Sequence, residues 1–143
     1  MRTNYNLLRR GFTLIELMVV VAIIGILMSA GILAFSNAQQ NARDAKRRAD
    51  INAIAKALEQ YNQNTGTGVY TASSAAITTF FPSNSIPLDP RGTSYDLKLT
   101  ASAFCVCATL EKTGKGNASA VGTAGGACNY AATGDYFCAS HRQ

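Results

Sequence analysis

Few residues in this sequence carry chemistry, and they fall in two places. Four cysteines, Cys105, Cys107, Cys128 and Cys138, lie in the last third of the 143 residues. One glutamate, Glu16, stands near the start of an apolar run that reaches Phe35. Four cysteines pair as disulfides in an exported domain and hold metal in a cytosolic one. Zinc sites favour cysteines separated by two to four residues. Here one residue separates Cys105 from Cys107 and nine separate Cys128 from Cys138, which favours disulfides. Glu16 poses a different problem, because an unpaired carboxylate out of water is costly or takes up a proton. No acid, base and nucleophile fall into a catalytic pattern, so an enzyme is not expected. His141, the only histidine, stands third from the C-terminus and is expected in solvent. Gly114-Lys115 lacks the spacing of a phosphate-binding loop, and Asn117-Ala118-Ser119 is a glycosylation triplet of a kind common by chance.

The elements that must position these residues start with the apolar run. Leu17 to Phe35 is 19 residues without a charge. As a helix it is about 28 Å long, close to the hydrocarbon thickness of a bilayer. That is too long for the core of an ordinary signal peptide. No Pro or Gly interrupts the chain from Ser36 to Gln63. Ala38, Ala42, Ala45 and Ala49, then Ile51, Ile54, Leu58 and Tyr61, recur at three- and four-residue steps, one face of a helix. Arg43, Asp44, Arg47 and Arg48 are expected on the solvated face, with Asp44 and Arg48 as an i,i+4 pair. One helix of about 50 residues therefore starts in a membrane and ends as the amphipathic spine of a soluble domain, near Gly66 and Gly68. Basic residues flank the apolar run on both sides, so charge alone does not orient it.

Beyond the spine, Ser73 or Ser74 is placed to start a short helix that Pro82 ends after Phe80. Pro87 to Tyr95, "PLDPRGTSY", reads as a turn. Three stretches alternate as strands. Tyr95, Leu97 and Leu99 share a face, as do Phe104, Val106, Ala108 and Leu110, and Phe137 and Ala139. Cys105, Cys107 and Cys138 lie on the opposite faces. The apolar side of this sheet should cover Ile51, Ile54, Leu58 and Tyr61, leaving the cysteines under an irregular segment that holds Cys128. Cys105 and Cys107, two apart on one strand, are badly placed to bond each other. Each is free to join Cys128 or Cys138, so two connectivities remain. Thr113 to Ala127 is rich in glycine and expected to be floppy. Disulfides flanking it would add about 2–4 kcal/mol each by restricting the unfolded chain.

Arg9, Arg10, Gly11, Phe12, Thr13, Leu14, Ile15 and Glu16, with the apolar stretch after them, resemble the class III signal of type IV pilins and pseudopilins. The resemblance implies a leader of residues 1–11, cut between Gly11 and Phe12 by a prepilin peptidase, and N-methylation of Phe12. It implies an assembly helix over residues 12–35, an amphipathic continuation over 36–63 and a soluble domain over 64–143. The implied fold is α+β, a lollipop of one long helix packed on a small antiparallel sheet of about three strands. It also gives Glu16 a partner, the amine created at Phe12 by cleavage, in the same subunit or a neighbour. A wrong stagger of helices would leave both charges buried and unpaired. Many relatives have a proline in the second half of the apolar helix; this chain has none, and Gly25, Ser29 and Gly31 are its soft spots. Asp89-Pro90-x-Gly92-x-x-Tyr95 is similar to a segment of major pseudopilins whose nearby loop oxygens bind calcium. Here Asp89 is a weak calcium candidate and Arg91 stands where an aromatic is common.

The charged fraction is 15% and the net charge +5. Without the leader, ten basic residues face eight acidic ones, weak support for DNA as a partner. The expected function is that of a structural subunit of a pilus-like extracellular filament serving adhesion, motility or DNA uptake. The alternatives are a pseudopilin of a secretion or competence system and a membrane-anchored binding module. Expected partners are the peptidase, copies of itself and other pilins, the inner-membrane assembly platform, and lipid before assembly. The precursor is expected to cross the inner membrane once, leader inside and C-terminal domain outside.

Overall fold

The computed structural model describes residues 11–66, 70 and 73–141. Residues 1–10 of the leader, and Gly68, lie outside the described residues. The chain divides into two compact units, Met1–Ala38 and Gln39–Gln143. Helix α1 spans Leu14–Thr65 and contributes to both. It ends where Gly66 takes a positive φ of 61°, a conformation glycine adopts without strain.

In the first unit every described side chain of α1 from Leu14 to Phe35 is exposed. This stretch is long and apolar enough to cross a membrane. The one hydroxyl in it, on Ser29, donates to the Ile26 carbonyl at 2.7 Å, so it needs no outside partner. A helix apolar on all sides is stable only among apolar neighbours, lipid or other helices.

In the second unit the buried stripe of α1 is Asp44, Arg47, Ile51, Ile54 and Leu58, again at three- and four-residue steps. Ile51, Ile54 and Leu58 pack as expected. Ala38, Ala42, Ala45 and Ala49 do not: all four are exposed. The stripe instead continues through two charged residues placed in solvent by their type alone. They are buried because acids and cations from other elements meet them, as described below.

The sheet has five strands, not about three: β1 (Asp96–Leu99), β2 (Phe104–Thr109), β3 (Gly116–Ala120), β4 (Asn129–Gly134) and β5 (Tyr136–Ser140). Their order is β1-β2-β5-β3-β4, and every pairing is antiparallel. With α1 this gives the expected α+β class. The β1–β2 hairpin closes through Thr100, whose N–H and hydroxyl both donate to the Ala103 carbonyl. Before the sheet, a 3-10 helix spans Ser74–Phe80 and puts Ile77 into the core. One face of the sheet packs Phe104, Val106 and Ala108 on Ile51, Ile54 and Leu58; the other gathers Cys105, Cys107, Cys138 and Ala118.

The expected floppy loop is where β3 lies, with β4 just beyond it. These strands have glycine, alanine, serine and asparagine where strands usually show branched or aromatic residues. Close approach of backbone explains the glycines. A Cβ on Gly116 would stand 2.0 Å from the Tyr136 carbonyl oxygen, and one on Gly134 would stand 1.8 Å from that of Ala118. A Cβ on Gly125 would meet only the Thr123 hydroxyl, at 3.9 Å. Gly134→Ala is therefore expected to lower the urea midpoint well below that of Gly125→Ala; equal midpoints would remove this reason for the glycine.

Candidate functional site

The residues of the expected processing and assembly site are contiguous at the start of α1. Gly11 and Phe12 precede the helix and are exposed, Phe12 at 79%. An exposed, non-helical bond is what a peptidase requires. Thr13 and Glu16 form a capping box. The Thr13 N–H and hydroxyl donate to Glu16 Oε2 at 2.9 and 2.7 Å, and the Glu16 N–H meets Thr13 Oγ1 at 3.3 Å. These bonds use two donors that a helix start leaves unpaired. Glu16 thus has partners while the Gly11–Phe12 bond is intact. The Thr-x-x-Glu spacing before an apolar run could have revealed this from sequence.

The four cysteines form two disulfides, Cys105–Cys128 and Cys107–Cys138, with Cα separations of 5.3 and 4.2 Å. Cys107 and Cys138 are directly opposed across β2 and β5. Cys128 follows a turn closed by hydrogen bonds between Thr123 and Ala127. All four sulfurs lie within 4.8 Å of one another. A metal would need these same sulfurs, each of which is bonded to another sulfur in the two disulfides.

The second charged site is built on Arg47. Its guanidinium meets Asp89 through Nε and Nη2, Asp44 through Nη1 at 2.7 Å and Glu111 through Nη1 at 3.1 Å. Arg43 grips Glu111 with two bonds of 2.6 and 2.7 Å, and Arg91 lies 3.2 Å from it. Asp44 pairs with Arg47, not Arg48, and accepts the N–H groups of Glu111 and Lys112. Three residues along the helix, Asp50 accepts the hydroxyl of Tyr95 at 2.7 Å. Asp89 and Tyr95, both within the expected turn, thus clasp one turn of α1. The turn itself closes through Gly92, at φ 85°, whose N–H reaches the Asp89 carbonyl. Arg47 and the Arg91 N–H occupy both Asp89 oxygens, so calcium would have to displace the guanidinium.

Beside this network runs a cleft of about 740 Å³, lined by Arg47, Asp89, Arg91, Tyr95, Glu111 and Tyr136 among others. Hydrogen bonds from Arg43 and Arg47 hold the Glu111 carboxyl down at about 2. Arg47 also lowers Asp89, while burial and Asp50 raise Tyr95. These shifts fix each group in its usual charge state. They do not poise one to exchange a proton near neutral pH, as acid–base catalysis needs.

One further expectation, a solvated His141, is corrected. His141 is half-buried, its ring 6.0 Å from that of Tyr70 and 6.3 Å from that of Phe104, and its Nδ1 is closed to solvent. The end of β5 brings it over the core. Asn117 is not a free glycan acceptor: its amide donates to the Cys138 carbonyl at 2.9 Å and accepts the Cys138 N–H at 2.8 Å. That side chain bonds the β5 backbone beside the Ala118–Tyr136 pair, the one residue pair that joins β3 to β5.

An apolar helix with a capped acid at its start, continuing into a disulfide-bonded α+β domain, describes an anchored structural subunit more than a catalyst. Residues 7–32 match the family model described as the prokaryotic N-terminal methylation motif, the class III signal of type IV pilins. The motif supports a pilin- or pseudopilin-like precursor, processed by a prepilin peptidase and anchored in the inner membrane. No curated protein and no solved structure matches the chain.

The network gives stability a pH dependence of defined sign. Glu111 and Asp89 titrate lower in the folded chain than in the unfolded one. Their contribution is complete above the ordinary carboxylate value near 4.5 and is lost as pH falls towards 2. Urea midpoints should fall over that window, and Glu111→Gln should flatten the fall; an unchanged slope would contradict the ion pairing. Arg47→Met leaves three carboxylates without their shared cation and should cost about 3–5 kcal/mol at pH 7 in the same measurement.

Proposed function

We propose that this chain is the subunit of a type IV pilus-like extracellular filament. A prepilin peptidase cuts between Gly11 and Phe12, Phe12 is N-methylated, and the helix from Phe12 onward polymerises with copies of itself and related pilins. The observation that carries this reading is the signal over residues 7–32 leading into an apolar helix exposed at every described side chain to Phe35, with Glu16 as its one acid. Before assembly, lipid covers the helix; in the filament, neighbouring helices do. Cleavage creates a positive amine beside Glu16, and a neighbour's amine meets that carboxylate when the stagger is right. Residues 39–143 then face outward for adhesion, motility or DNA uptake.

The capping box complicates the obvious variant, since Glu16→Ala removes both the cap and the charge. Glu16→Gln keeps a residue that suits the cap and removes only the charge. Both variants should insert and be processed, and both should lose filaments from the sheared fraction. Normal filaments from Glu16→Gln would refute the charge pairing and leave capping as the role of Glu16. Processed wild-type chain confined to the membrane fraction would favour a short periplasmic pseudopilus.

A further inference from the structure

The four cysteine sulfurs share one small volume. Cys105 and Cys107 lie on one face of β2, Cys138 on β5 opposes Cys107, and Cys128 stands just before β4. Their Sγ atoms all lie within 4.8 Å of one another. Those of Cys105 and Cys107, which belong to different disulfides, are 3.5 Å apart. Two disulfides could staple these segments from separate places, since neither bond needs the other in contact. A tetrahedral metal does need four sulfurs this close. With metal–sulfur bonds of about 2.3 Å, its ligand sulfurs stand about 3.8 Å apart. To reach that spacing the two bonded pairs must part, which rotation of the side chains supplies. One residue separates Cys105 from Cys107 and nine separate Cys128 from Cys138, so this is not a zinc knuckle. Strand pairing supplies the convergence that spacing along the chain does not. Ala118, Val121 and Tyr136 pack around the sulfurs, three of which belong to buried residues. A shell of this kind limits the access of water to metal–thiolate bonds.

We propose that in the reduced chain Cys105, Cys107, Cys128 and Cys138 bind one zinc ion as four thiolates, and that oxidation to the two disulfides releases it. Four thiolates in a tetrahedral arrangement suit zinc, which has no redox chemistry of its own. Binding releases the proton of each ligating thiol. Oxidation balances with two molecules of a disulfide oxidant. The four protein thiolates lose four electrons and form two S–S bonds. The oxidant gains those electrons, its two S–S bonds break to give four thiolates, and the zinc ion leaves. Either state ties Cys128 and β5 to β2, so this face of the sheet is held before and after oxidation. The metal-bound state belongs to a chain still in a reducing compartment, and the disulfide state to an oxidising one. The site lies wholly within the second unit and stands apart from the filament reading.

The test uses the full chain in neutral detergent, reduced without air by a phosphine that is then removed. Cobalt(II) is added as the spectroscopic probe, and zinc after it. One cobalt per chain should bind, with the sulfur-to-metal absorption of a tetrahedral four-thiolate site. One zinc should displace it and be retained in native mass spectrometry. Zinc should protect all four cysteines from iodoacetamide, and a disulfide oxidant should release it. Cys107→Ser should weaken zinc binding by about tenfold or more. Should the reduced, metal-free chain unfold, the cobalt spectrum of the wild-type chain still reports how many sulfurs ligate. A spectrum of fewer than four sulfurs, alkylation unaffected by zinc, or equal zinc retention by the oxidised chain would overturn the site.

Discussion

Arg47 neutralises three carboxylates from three parts of the chain: Asp44 on its own helix, Asp89 in the turn before β1 and Glu111 after β2. The rest of the domain depends on that convergence. Ile51, Ile54 and Leu58 supply apolar burial, which favours covering them but tolerates small slides. A planar guanidinium with fixed acceptors does not, because a slip leaves charges buried and unpaired. Tyr95 on Asp50 repeats the constraint one helical turn further on. Together they place α1, the turn and the β1–β2 hairpin relative to one another within the second unit. The disulfides then secure the sheet face turned away from α1.

The same constraint governs the N-terminus in a different solvent. Glu16 enters an apolar environment with its carboxylate already held by Thr13. That satisfies part of its hydrogen-bonding need but leaves its charge unmatched. In the proposed pathway, cleavage supplies the matching charge at Phe12 only when the subunit is ready to assemble. In that proposal, an acid that would be a defect in a plain anchor becomes a means of setting stagger.

Much of the layout was legible because it follows two periods. The three- to four-residue step marked Ile51, Ile54 and Leu58, and the two-residue step separated Phe104, Val106 and Ala108 from Cys105 and Cys107. Those alternations gave the hairpin, the last strand and the direction of the cysteines. Strands β3 and β4 carry no such signal. Gly116 and Gly134 belong to strands because backbones pass too closely for a side chain, a fact of tertiary packing. Arg47 sat at the right helical position for burial, but its type argued for solvent. Only the acids converging from Asp89 and Glu111, 42 and 64 residues away along the chain, reverse that argument. Asn117 was hidden similarly, since a side chain that bonds the backbone of another strand looks like any polar residue.

The most direct measurement is the mass of the N-terminal peptide from membrane-extracted chain, in cells with and without prepilin peptidase. The expected result is a peptide starting at methylated Phe12 when the peptidase is present and an intact Gly11–Phe12 bond when it is absent. A mature terminus beyond the apolar run, or the same terminus in both cells, would contradict the processing on which assembly through Glu16 depends.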